Sequence, residues 1–176
     1  MEQQPGTVPD EQEVLARTVA VVMRTAVVTI AVDETVLVAW ELLERSGSRH
    51  LPVVRPDGRC AGLLDRAEVA VACATPAASL SGLRVDQLLP GHRPAHVHVE
   101  QTVRHAADIM SYTEADALPV LEEDGRLAGV LTAADIVAAL AGRPAQKEPA
   151  DTRPQAPPTM LPGLSPLRGY RGTAVP

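Results

Sequence analysis

Apolar positions along this chain change period in a fixed order, and they do so twice. Val27 to Val32 is a β-branched strand candidate, and the apolar residues after it, Val36, Ala39, Trp40 and Leu43, recur at helical spacing. A short strand from Leu51 to Arg55 follows, then a turn at Pro56-Asp57-Gly58, a second apolar strand from Cys60 to Leu64, and a closing helix. The order returns with a strand at Val97 to Val99 and a helix through Val103, Ala106, Ala107 and Met110. A strand at Leu118 to Glu122, a turn at Glu123-Asp124-Gly125, a strand at Leu127 to Leu131 and a last helix complete it. The predicted unit is strand, helix, strand, strand, helix.

The two units are copies. Asp33 to Ala72 matches Glu100 to Ala139 without a gap at a constant offset of 67 residues, with 14 of 40 positions identical. A three-stranded sheet with helices on one face leaves apolar surface bare, so two copies are expected to pack sheet to sheet as one pseudo-symmetric α/β (α+β) body. Pro52 and Pro119 cannot donate a ladder hydrogen bond, which predicts that their strands lie at an edge or begin late. Segments before each copy, Glu11 to Met23 and Arg84 to Leu89, are expected to form short helices that brace it. The organisation read this way is a flexible N-terminus (1–10), a first repeat (11–74), a linker (75–83), a second repeat (84–142) and a Pro-rich disordered tail (143–176).

Composition narrows the function classes. Hydrophobic residues make up 45 % of the chain but aromatics only 2 %, so the core must be built from small aliphatics. The net charge of −6 conceals an acidic body and a basic tail: net −9 up to Gly142, net +3 after it. An acidic body with few aromatics supplies neither phosphate neutralisation nor base stacking, which argues against nucleic acid as a partner. No stretch approaches a membrane span and no signal-peptide pattern opens the chain, so a soluble, cytoplasmic, membrane-free protein is expected. Cys60 and Cys73 are too few for a disulfide framework and read as buried or half-buried thiols.

The run S-R-H-L-P-V-V-R-P-D-G-R-C-A-G-L-L-D and its partner A-D-A-L-P-V-L-E-E-D-G-R-L-A-G-V-L-T-A-A-D resemble the paired CBS (cystathionine-beta-synthase-type) domain pattern. The resemblance covers about Ala20 to Ala141. It implies a stand-alone Bateman module that dimerises, binds an adenosine-containing ligand (AMP, ADP, ATP or S-adenosylmethionine) in a cleft between repeats, and acts on an unknown partner protein.

In the second repeat, Thr132-Ala133-Ala134-Asp135 matches the family's ribose motif. A carboxylate there can accept from both vicinal ribose hydroxyls, beside a helix mouth that favours phosphate. The same T-x-x-D spelling is also a capping box, which needs no ligand. The resemblance places the opposite wall at Ala26 to Val28 and at Ser48, Arg49 and His50, with Arg49 a phosphate fork, His50 a proton-dependent donor, and Val130 an apolar neighbour of the base.

The pseudo-symmetric cleft differs. Asp65 and Glu68 replace the threonine and aspartate, and Asp116 stands where Arg49 would be, so three carboxylates are expected to converge and repel phosphate. A capping pair is the plain reading of Asp65 and Glu68, and a magnesium or calcium site at Asp65, Glu68 and Asp116 is the weaker alternative. His96 and His98 should share a strand face, without a third zinc ligand, so these two read as surface histidines like His92 and His105. No nucleophile-base pair or phosphate loop with a catalytic lysine can be assembled, so a non-enzymatic sensor is expected. A ligand-free protein-interaction scaffold is the rival reading.

Overall fold

The computed structural model describes residues 10–74, 82–90 and 94–143. The expected tail beyond Arg143, the first nine residues of the expected flexible N-terminus and most of the expected linker therefore lie outside the described residues, as does His92. Two short helices, α1 (Glu11–Ala16) and α2 (Val19–Val22), precede the first copy: β1 (Ile30–Ala31), α3 (Val36–Ser46), β2 (His50–Val54), β3 (Cys60–Asp65) and α4 (Arg66–Cys73). A 3-10 turn, Val85–Leu88, precedes the second: β4 (Val97–His98), α5 (Val103–Thr113), β5 (Ala117–Leu121), β6 (Leu127–Thr132) and α6 (Ala133–Leu140).

Each copy is a three-stranded sheet, ordered β1-β2-β3 and β4-β5-β6, in which the first pair is parallel and the second antiparallel. The copies share their irregularities as well as their order, because both central strands carry a register shift at the same place, Val53/Val54 and Val120/Leu121. The turns match too. Gly58 and Gly125 both sit at φ 82°, a left-handed conformation that side chains disfavour. Asp57 and Asp124 each accept a hydrogen bond from the backbone N–H two residues on, at 3.0 Å.

Two expectations need correction. The proline strands β2 and β5 are central, not at an edge. Proline is tolerated there because β1 is only two residues long and pairs with Val53 and Val54, so at Pro52 that flank of β2 has no neighbouring strand; Pro119 stands in the same relation to β4.

The bracing segments also do not brace the copies that follow them; they are exchanged. Val19 and Val22 are buried in the core of the second copy with Val97, Val103, Leu118 and Leu131, whereas Val85 is buried in the first with Val36, Leu43, Leu51 and Leu64. The backbone records the same exchange. Val103 N–H donates to the Arg17 carbonyl at 2.9 Å, and its counterpart Val36 N–H donates to Leu83 at 3.0 Å.

The halves meet where β3 packs against β5 and where the two hairpin turns touch. Arg59 bridges Arg126, its counterpart at the 67-residue offset. Cys60 N–H donates to the Gly125 carbonyl and Leu127 N–H to the Gly58 carbonyl.

Gly129 permits the closest approach between the N-terminal segment and the second sheet, since a Cβ there would run into the Arg24 carbonyl oxygen. At Gly62, the equivalent position, the obstacle is the end of the Leu89 side chain, which can move. Chemical denaturation should therefore find Gly129→Ala destabilised by about 2 kcal/mol and Gly62→Ala affected less. Equal losses at the two sites would contradict this account.

Candidate functional site

A cavity of about 420 Å³ opens between the copies. One wall comes from the segment Arg24, Ala26, Val27 and Val28 and from the α3–β2 junction, Ser46 to His50; the other comes from Asp116 and from Val130, Thr132, Ala133 and Ala134. The α3–β2 junction turns sharply at Gly47, whose φ of 64° ends the helix and brings Ser48 to His50 to the mouth. The β6–α6 junction needs no loop, because Thr132 ends the strand and caps the helix at once.

Seven of the eight ligand-binding residues expected from the sequence line this cavity: Ala26, Val28, Ser48, Arg49, His50, Val130 and Thr132. Asp135 does not. It is 5 % exposed, and both oxygens are occupied: Oδ1 accepts from Arg24 Nε at 2.7 Å, with the charged Nη2 also 2.7 Å away. Oδ2 accepts from the Thr132 backbone N–H at 3.0 Å and the Thr132 hydroxyl at 2.6 Å. The capping box, the local alternative to a ribose motif, is thus what these side chains form here. Sequence reasoning missed Arg24. Its signal was present, since it is the one charged residue in the apolar run from Val19 to Val32.

The basic wall is also not basic. Arg49 Nη2 pairs with Asp116 at 3.1 Å and Arg49 Nε with Asp65 at 3.6 Å. His50 Nε2, on a side chain only 10 % exposed, lies 2.9 Å from Asp116 and 3.5 Å from Asp65. The expected convergence of three carboxylates is corrected accordingly. Glu68 turns back to accept from the Asp65 backbone N–H at 3.1 Å, so it caps α4 instead of joining the other two. Among the described residues, the one metal-capable cluster is His50, Asp65 and Asp116, whose donor atoms all lie within 4.8 Å of one another. That set differs from Asp65, Glu68 and Asp116 by a histidine, and Arg49 already answers part of its negative charge.

His96 and His98 do share a face, with ring centroids 5.4 Å apart, and they line a broader concavity of about 710 Å³ on the hairpin side. It holds none of the expected ligand residues. Trp40 packs on the first core, and the Arg66 guanidinium lies 5.5 Å from its ring centroid. No described helix is long and apolar enough to cross a membrane.

The CBS domain family model matches residues 17–74 and 85–142, and the chain belongs to that family. A homoserine O-acetyltransferase of Methanosarcina acetivorans is 28 % identical over 112 residues, 62 % of this chain, but the match spans only 19 % of that enzyme. The CBS domain pair of protein MJ0100, solved with 5′-methylthioadenosine and S-adenosylmethionine, has a TM-score of 0.63 at 21 % identity, covering 72 % of this chain and 98 % of the other. CBSX2 in complex with AMP has a TM-score of 0.60 at 26 % identity, covering 69 % and 94 %.

Asp135→Ala removes the acceptor of three hydrogen bonds and the anion of the Arg24 pair. It should lower stability by about 2 kcal/mol in denaturant titrations without any ligand present; unchanged stability would mean the pair with Arg24 does not form. The two thiols, both free, should be slow to react. Burial raises the Cys60 pKa against smaller opposing effects of its bond to the Gly62 carbonyl and the Arg55 charge, and burial raises Cys73 as well. Iodoacetamide labelling should be slow at neutral pH and accelerate only above the ordinary thiol pKa of about 8.5. Labelling at pH 7 as fast as that of a simple thiol would contradict this.

Proposed function

We propose that this protein is a regulatory module that binds an adenosine-containing ligand in the cavity between its CBS repeats and passes that occupancy to a partner protein. The observation that carries the reading is that both repeats build one cavity, with apolar surface at Val28 and Val130 and polar groups at Ser48 and Thr132. Its volume of about 420 Å³ lies within the ordinary range for small-molecule sites, roughly 300–1,000 Å³. Complexes of related CBS pairs with AMP, S-adenosylmethionine and 5′-methylthioadenosine support the ligand class. Because the cavity has a wall from each repeat, a ligand that touches both favours one angle between them, which is a physical route to a signal.

The same reading includes a homodimer. Exposed apolar residues on the outer helices support it: Leu37 on α3, Val71 on α4, Tyr112 on α5 and Val137 on α6. The cluster of His50, Asp65 and Asp116 favours a second, cation-responsive reading.

Thermal unfolding with a panel of AMP, ADP, ATP, S-adenosylmethionine and magnesium separates the alternatives. A ligand at about 100 times its dissociation constant adds about 2.7 kcal/mol to the folded state. Ala26 is exposed at the cavity wall, so Ala26→Trp should fill the site and abolish an adenosine-ligand shift with little effect on the unliganded fold. A shift with magnesium alone that Asp65→Asn removes supports the cation reading. Silence with every compound supports the interaction scaffold and rejects the sensor.

A further inference from the structure

An ionised carboxylate offers about four acceptor positions, and hydrogen bonds from Arg24 and Thr132 occupy three of them in Asp135, too few left for the two hydroxyls of a diol. A ribose diol therefore cannot engage Asp135 unless one partner leaves. Thr132 is held by the capping box on its own helix turn. Arg24 is the removable partner. Its side chain is 38 % exposed and lines the cavity. Its backbone is pinned independently, with N–H donating to the Val130 carbonyl at 2.9 Å and the carbonyl accepting from Val130 N–H at 3.0 Å. The guanidinium can swing away while the chain that carries it stays in place.

Displacing it exchanges an ion pair for hydrogen bonds from neutral hydroxyl donors and leaves the guanidinium unpaired, which is unfavourable unless the guanidinium finds another anion. The protein has none to spare in the lining: Asp116 is engaged by Arg49 and His50. We infer that Arg24 is the specificity-determining residue of this cavity, admitting adenosine ligands that carry an anionic group beside the ribose, the nucleoside monophosphates, over the bare nucleoside. The ligand's phosphate takes over the guanidinium that its ribose displaces. A bare nucleoside breaks the same ion pair and returns nothing to Arg24. This inference rests on the adenosine reading proposed above.

Titration calorimetry of AMP and adenosine against the wild type, Arg24→Gln and Arg24→Lys tests it. The wild type should bind AMP at least about tenfold more tightly than adenosine, Arg24→Gln should bring the two within about threefold, and Arg24→Lys, which keeps the charge and a partner for Asp135, should stay within about threefold of the wild-type preference. Equal affinity of the wild type for both ligands overturns the inference and leaves the adenosine reading standing. So does an Arg24→Gln variant that weakens both by the same factor, as a purely structural arginine would. A lysine variant that loses the preference overturns the charge argument even where the glutamine variant does not fold. A wild type that binds neither ligand overturns the adenosine reading and this inference with it.

Discussion

Each CBS repeat completes its core with a segment that precedes the other. Val19 and Val22 close the second core and Val85 closes the first, and the exchange is sealed by matching backbone hydrogen bonds at Val36 and Val103. A three-stranded sheet with two helices is too small to bury its own aliphatic residues fully. Lending a short segment in each direction solves that problem for both copies at once, and it ties each half to the core of the other. The cavity between them inherits its walls from this exchange, since the segment that leaves α2 crosses β6 at Arg24 and Val130 before it enters the first sheet.

Pseudo-twofold symmetry also decides the electrostatics. Residues at equivalent positions near such an axis face each other, and here Arg59 touches Arg126 while Arg49 touches Asp116. A charge substitution between copies at an axial position therefore creates an ion pair across the module, not two clefts of opposite character. Arg49, Asp116, Asp65 and His50 form one cluster in consequence, while the guanidinium of Arg24, also in the cavity lining, shares the Asp135 carboxylate with Thr132.

Helix capping uses the same atoms at the start of α6 that the proposed ligand would need. Thr132 and Asp135 form a complete capping box, as Asp65 and Glu68 do at α4, yet the two boxes differ in their surroundings. Glu68 is exposed, whereas Asp135 is buried and held by an arginine brought from a distance of 111 residues along the chain. In the second box the cavity-wall arginine holds the buried inner carboxylate, whereas in the first Arg49 meets the capping residue Asp65 and not Glu68.

The repeat, the strand and helix order and both Asp-Gly turns were legible in the sequence because each depends on residues within a few positions of one another. Seven of the eight expected site residues also fell at the cavity, placed by the family resemblance through the L-P-V run of the first copy and the T-x-x-D run of the second. Tertiary structure alone decided which core each bracing segment enters, why proline fits a central strand, and which charges neutralise Arg49. It alone placed Arg24 on Asp135. The physical reason is common to all four: they depend on how two nearly identical units are set about an axis, and local pattern carries no record of which neighbour lies across it.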